Sequence, residues 1–144
     1  MRWIGFLFLL LPLNSVGGQS VDSYPRINSV SSVTIVDNFL YFNLSRVIPQ
    51  DSFATWWAEM EACTKIRKPF EGMSWWVATG LYNVAEKFSA WGVYYPVPPE
   101  IVVVQNQKLP QLEHTVKHEI LHHLIQNTDH QEETFVRCLP TLPE

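Results

Sequence analysis

Four of the five histidines of this 144-residue chain fall in residues 116–131, VKHEILHHLIQNTDHQ, and the fifth, His114, stands just before them. Within the stretch, His118-Glu119-Ile120-Leu121-His122 has the form H-E-x-x-H. Residues four apart share one face of a helix, so His118 and His122 can close on a single ion from adjacent turns. Imidazole nitrogen suits zinc at about 2.0–2.1 Å. Glu119 falls about 100° round the helix from His118, beside such an ion and not on it, where a general base belongs. A catalytic tetrahedral site takes three protein ligands and keeps one open position, so one ligand is still missing. It should come where the chain turns back after the helix. His130 is the first choice there, Asp129 the next and Glu133 behind it. If Asp129 does not ligate, its carboxylate can orient a ligating histidine.

Other readings of the cluster are possible. His114 lies one turn before His118, so an ion could sit one turn earlier, but that site leaves Glu119 without a role. His123, one turn after Glu119, reads as a surface residue or one packed behind the ligands. A polar face on an amphipathic helix, with no metal at all, is the plainest alternative.

A helix must carry these residues. Pro110 suits its first position, Glu113 places negative charge in its first turn, and Asn127 is a reasonable left-handed stop after Gln126. Leu112, Val116, Ile120, Leu121 and Leu124 form its apolar side. Upstream, residues 30–36 and 39–44 read as strands joined by the turn Asp37-Asn38. Asp51 is placed to cap a helix ending near Cys63, with Phe53, Trp56, Trp57 and Met60 at helical spacing. Residues 73–79, 91–95 and 101–105 read as strands, the last two parted by Pro96-Val97-Pro98-Pro99. Residues 81–90 fit either a short helix or a loop. The expected fold is α+β: a small, mostly antiparallel sheet packed against two helices, the second carrying the histidines. Strand 73–79 or 101–105 would offer an open edge to an extended peptide.

Residues 1–18 differ in kind from the rest. A positive start, an apolar run from Ile4 to Leu11 closed by Pro12-Leu13, and the small residues before Gln19 have the order of a secretory signal peptide, and the run is too short for a bilayer span. The expected domain is then 19–144, secreted or periplasmic, with no stable membrane insertion after cleavage. With ten basic against fourteen acidic residues and no basic stripe, nucleic acid is not an expected partner. In an exported chain the only two cysteines, Cys63 and Cys138, are most simply a disulfide. Asn43-Leu44-Ser45 has the form of a glycosylation sequon.

His118, Glu119 and His122 match the motif of the zincin metallopeptidases. Within that group the chain resembles small secreted bacterial zincin-like proteins with H-E-x-L-H, then a D-H pair (Asp129-His130), then a phenylalanine (Phe135) and a cysteine (Cys138). The resemblance covers about twenty residues. It implies a catalytic zinc held by His118 and His122, with Glu119 as base and a peptide or protein as substrate. The chain departs from metzincins, having Ile125 and Thr128 where they carry glycine and histidine. It departs from gluzincins too, because no glutamate follows on a separate downstream helix. Two rival functions stand beside the peptidase. One is a non-catalytic extracellular binding module whose structural metal is closed by His118, His122, His130 and either His114 or Asp129. The other is a metal-free interaction domain using Trp56-Trp57 and Trp75-Trp76.

Overall fold

The structure, a computed structural model, describes residues 26–29, 33–128 and 130–139. The expected signal peptide and Asp129 lie outside the described residues.

In chain order the elements are strands β1 (Arg26–Ser29), β2 (Val33–Val36), β3 (Phe39–Phe42) and β4 (Ser45–Val47), then helix α1 (Asp51–Thr64). Strands β5 (Ser74–Ala78), β6 (Gly80–Asn83), β7 (Phe88–Ser89), β8 (Gly92–Pro96) and β9 (Pro99–Val104) follow, and then helices α2 (Leu109–Ile125) and α3 (Glu133–Cys138). One sheet has the order β1-β4-β5-β9-β8, the other β2-β3-β6-β7. Every described pairing is antiparallel except β5 with β9. The class is α+β.

The layers follow from side-chain alternation along β9. Ile101 and Val103 join Trp75, Val77, Phe53, Trp57, Val116, Ile120 and Leu121 in a core between the five-stranded sheet and the helices. Val102 and Val104 point the other way and pack with Ala78 of β5, Leu44, and Tyr41 and Leu81 of the second sheet. A strand covered on both faces reads as a continuous apolar run, as Ile-Val-Val-Val does here. Fully burying one such side chain stabilises by about 1.5–3 kcal/mol.

Several expectations are corrected. Residues 81–90 are neither helix nor plain loop: they hold β6, a turn with Lys87 at φ 59°, and β7. The second sheet is their consequence. Strands β5 and β9 are interior and have no open edge; β8 and β1 are the edges of the five-stranded sheet. Asp51 is the first residue of α1, which Gln50 caps without a side-chain hydrogen bond. Glu113 lies beyond the first turn of α2, and the left-handed stop is Gln126 (φ 54°), one residue earlier than Asn127. The hairpin turn at Asp37-Asn38 is as expected, with Asp37 at φ 51°.

Two ties hold the helices together. Lys117 on α2 reaches Glu59 of α1 at 2.6 Å. Cys63 of α1 is bonded to Cys138 of α3, with Cα atoms 5.8 Å apart and a separation of 75 positions in sequence. No helix among the described residues is long and apolar enough to cross a membrane. Closing so long a loop should stabilise the chain by about 4 kcal/mol through the entropy of the unfolded state. The Cys63→Ser/Cys138→Ser variant should therefore unfold at a clearly lower urea concentration. An unchanged midpoint would show that the bond contributes nothing.

Candidate metal site

Helix α2 places Thr115, Glu119 and His123 in a row towards β8, and His118 and His122 one residue behind along the next side. The chain leaves α2 at Gln126, turns, and brings His130 back over the helix. The Nε2 atom of His122 then lies 3.1 Å from Nε2 of His118 and 3.1 Å from Nε2 of His130. Nitrogens bound tetrahedrally to one zinc ion are about 3.3 Å apart, given zinc–nitrogen bonds near 2.0–2.1 Å. The three histidines thus have the spacing of a ligand set, and they could hold a metal ion.

The site grades from buried His122 through half-buried His118 to exposed His130. The Nδ1 of His122 lies 2.7 Å from the carbonyl oxygen of Asn127. A carbonyl only accepts, so Nδ1 carries the proton and Nε2 turns its lone pair to the other two rings. Buried Phe135 forms an apolar floor, its ring centre 4.8 Å from that of His118, 5.0 Å from His122 and 5.2 Å from His130. Phe135 belongs to α3, whose last residue is the bonded Cys138, so the disulfide ties this floor to α1. Glu132 caps α3 by accepting a hydrogen bond from the Phe135 amide at 3.0 Å.

Burial sets the protonation states. It pushes His118 down to about 3, helped by the neighbouring His122, His130 and His114. Burial also lowers His122, against the opposing pull of the Asn127 carbonyl. Both rings are therefore neutral near pH 7, the form that binds a metal. Glu119 is only 5 % exposed, and burial alone pushes its carboxyl up to about 8. It lies against the backbone of Gly92 at the start of β8.

The remaining candidates fall elsewhere. The ring of His114 is 6.4 Å from that of His118, outside the converging three. Glu133, against the expectation that no glutamate follows on a separate helix, opens α3, but it is exposed and does not join them. His123 is no surface residue: it packs between Trp57 and Tyr94, with Nδ1 3.0 Å from the Tyr94 hydroxyl. Lys68 donates to the His123 carbonyl at 2.5 Å, covering an orphan acceptor at the helix end. Burial, with Lys68 beside it, pushes His123 down to about 4. The tryptophans of both pairs are core or half-buried, with Trp57 and Trp75 nearly inaccessible, which removes the support for a tryptophan contact surface. Three contributors have weak signals or none in the sequence. They are the Asn127 carbonyl, the loop residue Lys68, and Gly92, whose place in a strand was the one available hint.

A comparison with protein-family models, with curated proteins and with solved structures finds nothing similar to this chain.

The titration directions predict opposing pH limbs for the metal-free protein. Glu119, with a folded value of about 8 against an ordinary 4.5, contributes stability that is present below 4.5 and lost as pH rises through about 8. His118 and His123, lowered from 6.5 to about 3 and about 4, withdraw stability as pH falls below 6.5. Glu119→Gln removes the alkaline limb. Its melting temperature should therefore exceed that of the wild type by more at about pH 9 than at about pH 6. An equal gap at both would mean that the carboxylate is not desolvated.

Proposed function

We propose that this chain is an exported zinc metallopeptidase of the zincin type. The observation that carries the reading is the convergence of three imidazole Nε2 atoms, the outer two each 3.1 Å from that of His122, with an acidic side chain on the residue after the first. Three nitrogen donors at that spacing fit zinc, and the Asn127 carbonyl behind His122 is the kind of partner that orients a ligating imidazole. The disulfide supports an oxidising compartment and so supports export.

Bound zinc would supply a Lewis acid that acidifies water and polarises the scissile carbonyl. The residues of the chain do the rest. Glu119 accepts the water's proton and passes it to the leaving amine. An empty-site value near 8 suits a group that must both take and give a proton near neutrality. Among the described residues strand β8 pairs with β9 alone, so its other edge can receive an extended peptide beside Glu119. Of the hydroxyls that could steady the developing oxyanion, Tyr94 is on the α2 side of β8, held by His123 and by Gln126 at 3.0 Å. Tyr95 points to the opposite face, where its hydroxyl bonds Tyr41, and is not a candidate.

Glu119→Gln should keep about one zinc per chain while peptide hydrolysis falls by roughly 10²–10⁴-fold, the usual worth of a general base. His118→Ala, His122→Ala and His130→Ala should each lose metal and activity together, because two protein ligands make a poor site. An active Glu119→Gln enzyme would sink the mechanism. Full zinc retention in His130→Ala would sink the third-ligand assignment and direct attention to Asp129. Zinc binding without hydrolysis in the wild type would turn the reading into a structural metal site.

A further inference from the structure

The general base of the proposed reaction sits in a gap only as wide as a missing side chain. Strand β8 faces α2 through Gly92 and Tyr94. A Cβ atom added at Gly92 would stand 2.8 Å from Glu119 Oε1, 2.8 Å from Thr115 Cγ2 and 3.0 Å from Glu119 Cγ. The backbone at Gly92 has no positive φ, so glycine is not there for conformational freedom. It is there for space.

Strand and helix are pegged together on both sides of that point. On one side, the Thr115 hydroxyl donates to Gln107 Oε1 at 2.7 Å. Gln107 Nε2 in turn donates to the Val104 carbonyl at 2.8 Å and to that of Trp91 at 3.4 Å. Gln107 and Thr115 are both buried, which makes this chain of bonds hard to give up. On the other side, two residues along β8, the Tyr94 hydroxyl meets His123 Nδ1 at 3.0 Å. Between the pegs, the part that moves most easily is the end of the Glu119 side chain.

We infer that Gly92 is a positioning residue for Glu119: its bare backbone is the wall that sets where the carboxylate rests relative to the three histidines. The inference rests on the reading of Glu119 as the base. Adding a methyl group there leaves the fold and the metal ligands in place and drives the carboxylate away from the strand. Ordinary contact needs about 3.5 Å, so the carboxylate must retreat by roughly 0.7 Å. Displacements of about 1 Å cost on the order of 10²-fold in rate.

Thr115 is the competing obstacle, and it can be removed first. Thr115→Ser deletes Cγ2, keeps the hydroxyl bonded to Gln107, and serves as the reference. In that background, Gly92→Ala meets Glu119 alone. Zinc content, melting temperature, kcat and KM on a mixed peptide substrate, and crystal structures of the zinc-loaded proteins are compared. The expected result is a carboxylate shifted away from residue 92, unchanged zinc content and KM, and kcat lower by roughly 10–100-fold. An unmoved carboxylate with β8 backed away from α2, an unchanged kcat, or a double variant that does not fold would each overturn the inference. If the reference protein hydrolyses no peptide, the peptidase reading fails. The displacement of Glu119 in the crystal then decides the role of Gly92 by itself.

Discussion

One lone pair, on His122 Nε2, faces two ring nitrogens at hydrogen-bond distance and cannot serve both. With a proton on His122 Nδ1, held there by the Asn127 carbonyl, the Nε2 that faces His118 and His130 has nothing to donate. Adding protons makes matters worse: burial pushes His118 far down, and the like charges that would then face each other push it further. The fold accepts this local conflict at the end of α2, and the packing around it can be understood as what keeps the three rings from turning apart. A cation between them would satisfy all three at once.

Helix α1 does much of that holding, although it contributes no ligand. Trp57 packs against His123, and its indole nitrogen donates to the Lys68 carbonyl at 3.0 Å, placing the loop from which the Lys68 ammonium reaches the end of α2. One and a half turns later, Cys63 fixes α3, and with it the Phe135 floor beneath all three imidazoles. The same helix thus anchors both the element that carries two of the histidines and the one that follows the third. A short segment such as residues 126–132 would otherwise have little to set its path, since six-residue α3 is below the length at which a helix is stable by itself.

The pair on α2 was legible in the sequence because a spacing of four residues is a complete geometric statement once a helix is granted. His130 was legible only as a type of residue at a plausible distance after the helix; its approach depends on a turn at Gln126 that the sequence suggested for Asn127. The α+β class and most strands also followed from apolar patterning. The second sheet did not, because β7 has two residues and β6 four, too few for alternation to stand out. The interior position of β9 was missed for a related reason: a run of four apolar residues tells that both faces are covered, not which strands flank it. Contacts such as Phe135 under His122, or Gly92 against Glu119, join segments far apart in the chain and leave no local pattern to read.

Glu119 shows most clearly how the fold and the proposed chemistry pull against each other. A carboxylate with 5 % exposure, raised to about 8 by burial alone, weakens the metal-free fold at any pH where it is ionised. A leucine or glutamine would pack in that row of α2 at less cost. A cation bound by the three histidines would reverse the balance: its charge would favour the ionised carboxylate and draw the shifted value back down. On the proposed reading, the cost of the metal-free site and the readiness of a loaded one would be two states of the same buried group, and metal binding should strengthen the fold by more than the nitrogen–metal bonds alone supply. On this view the close approach of β8 is what keeps water from relieving the carboxylate in any other way.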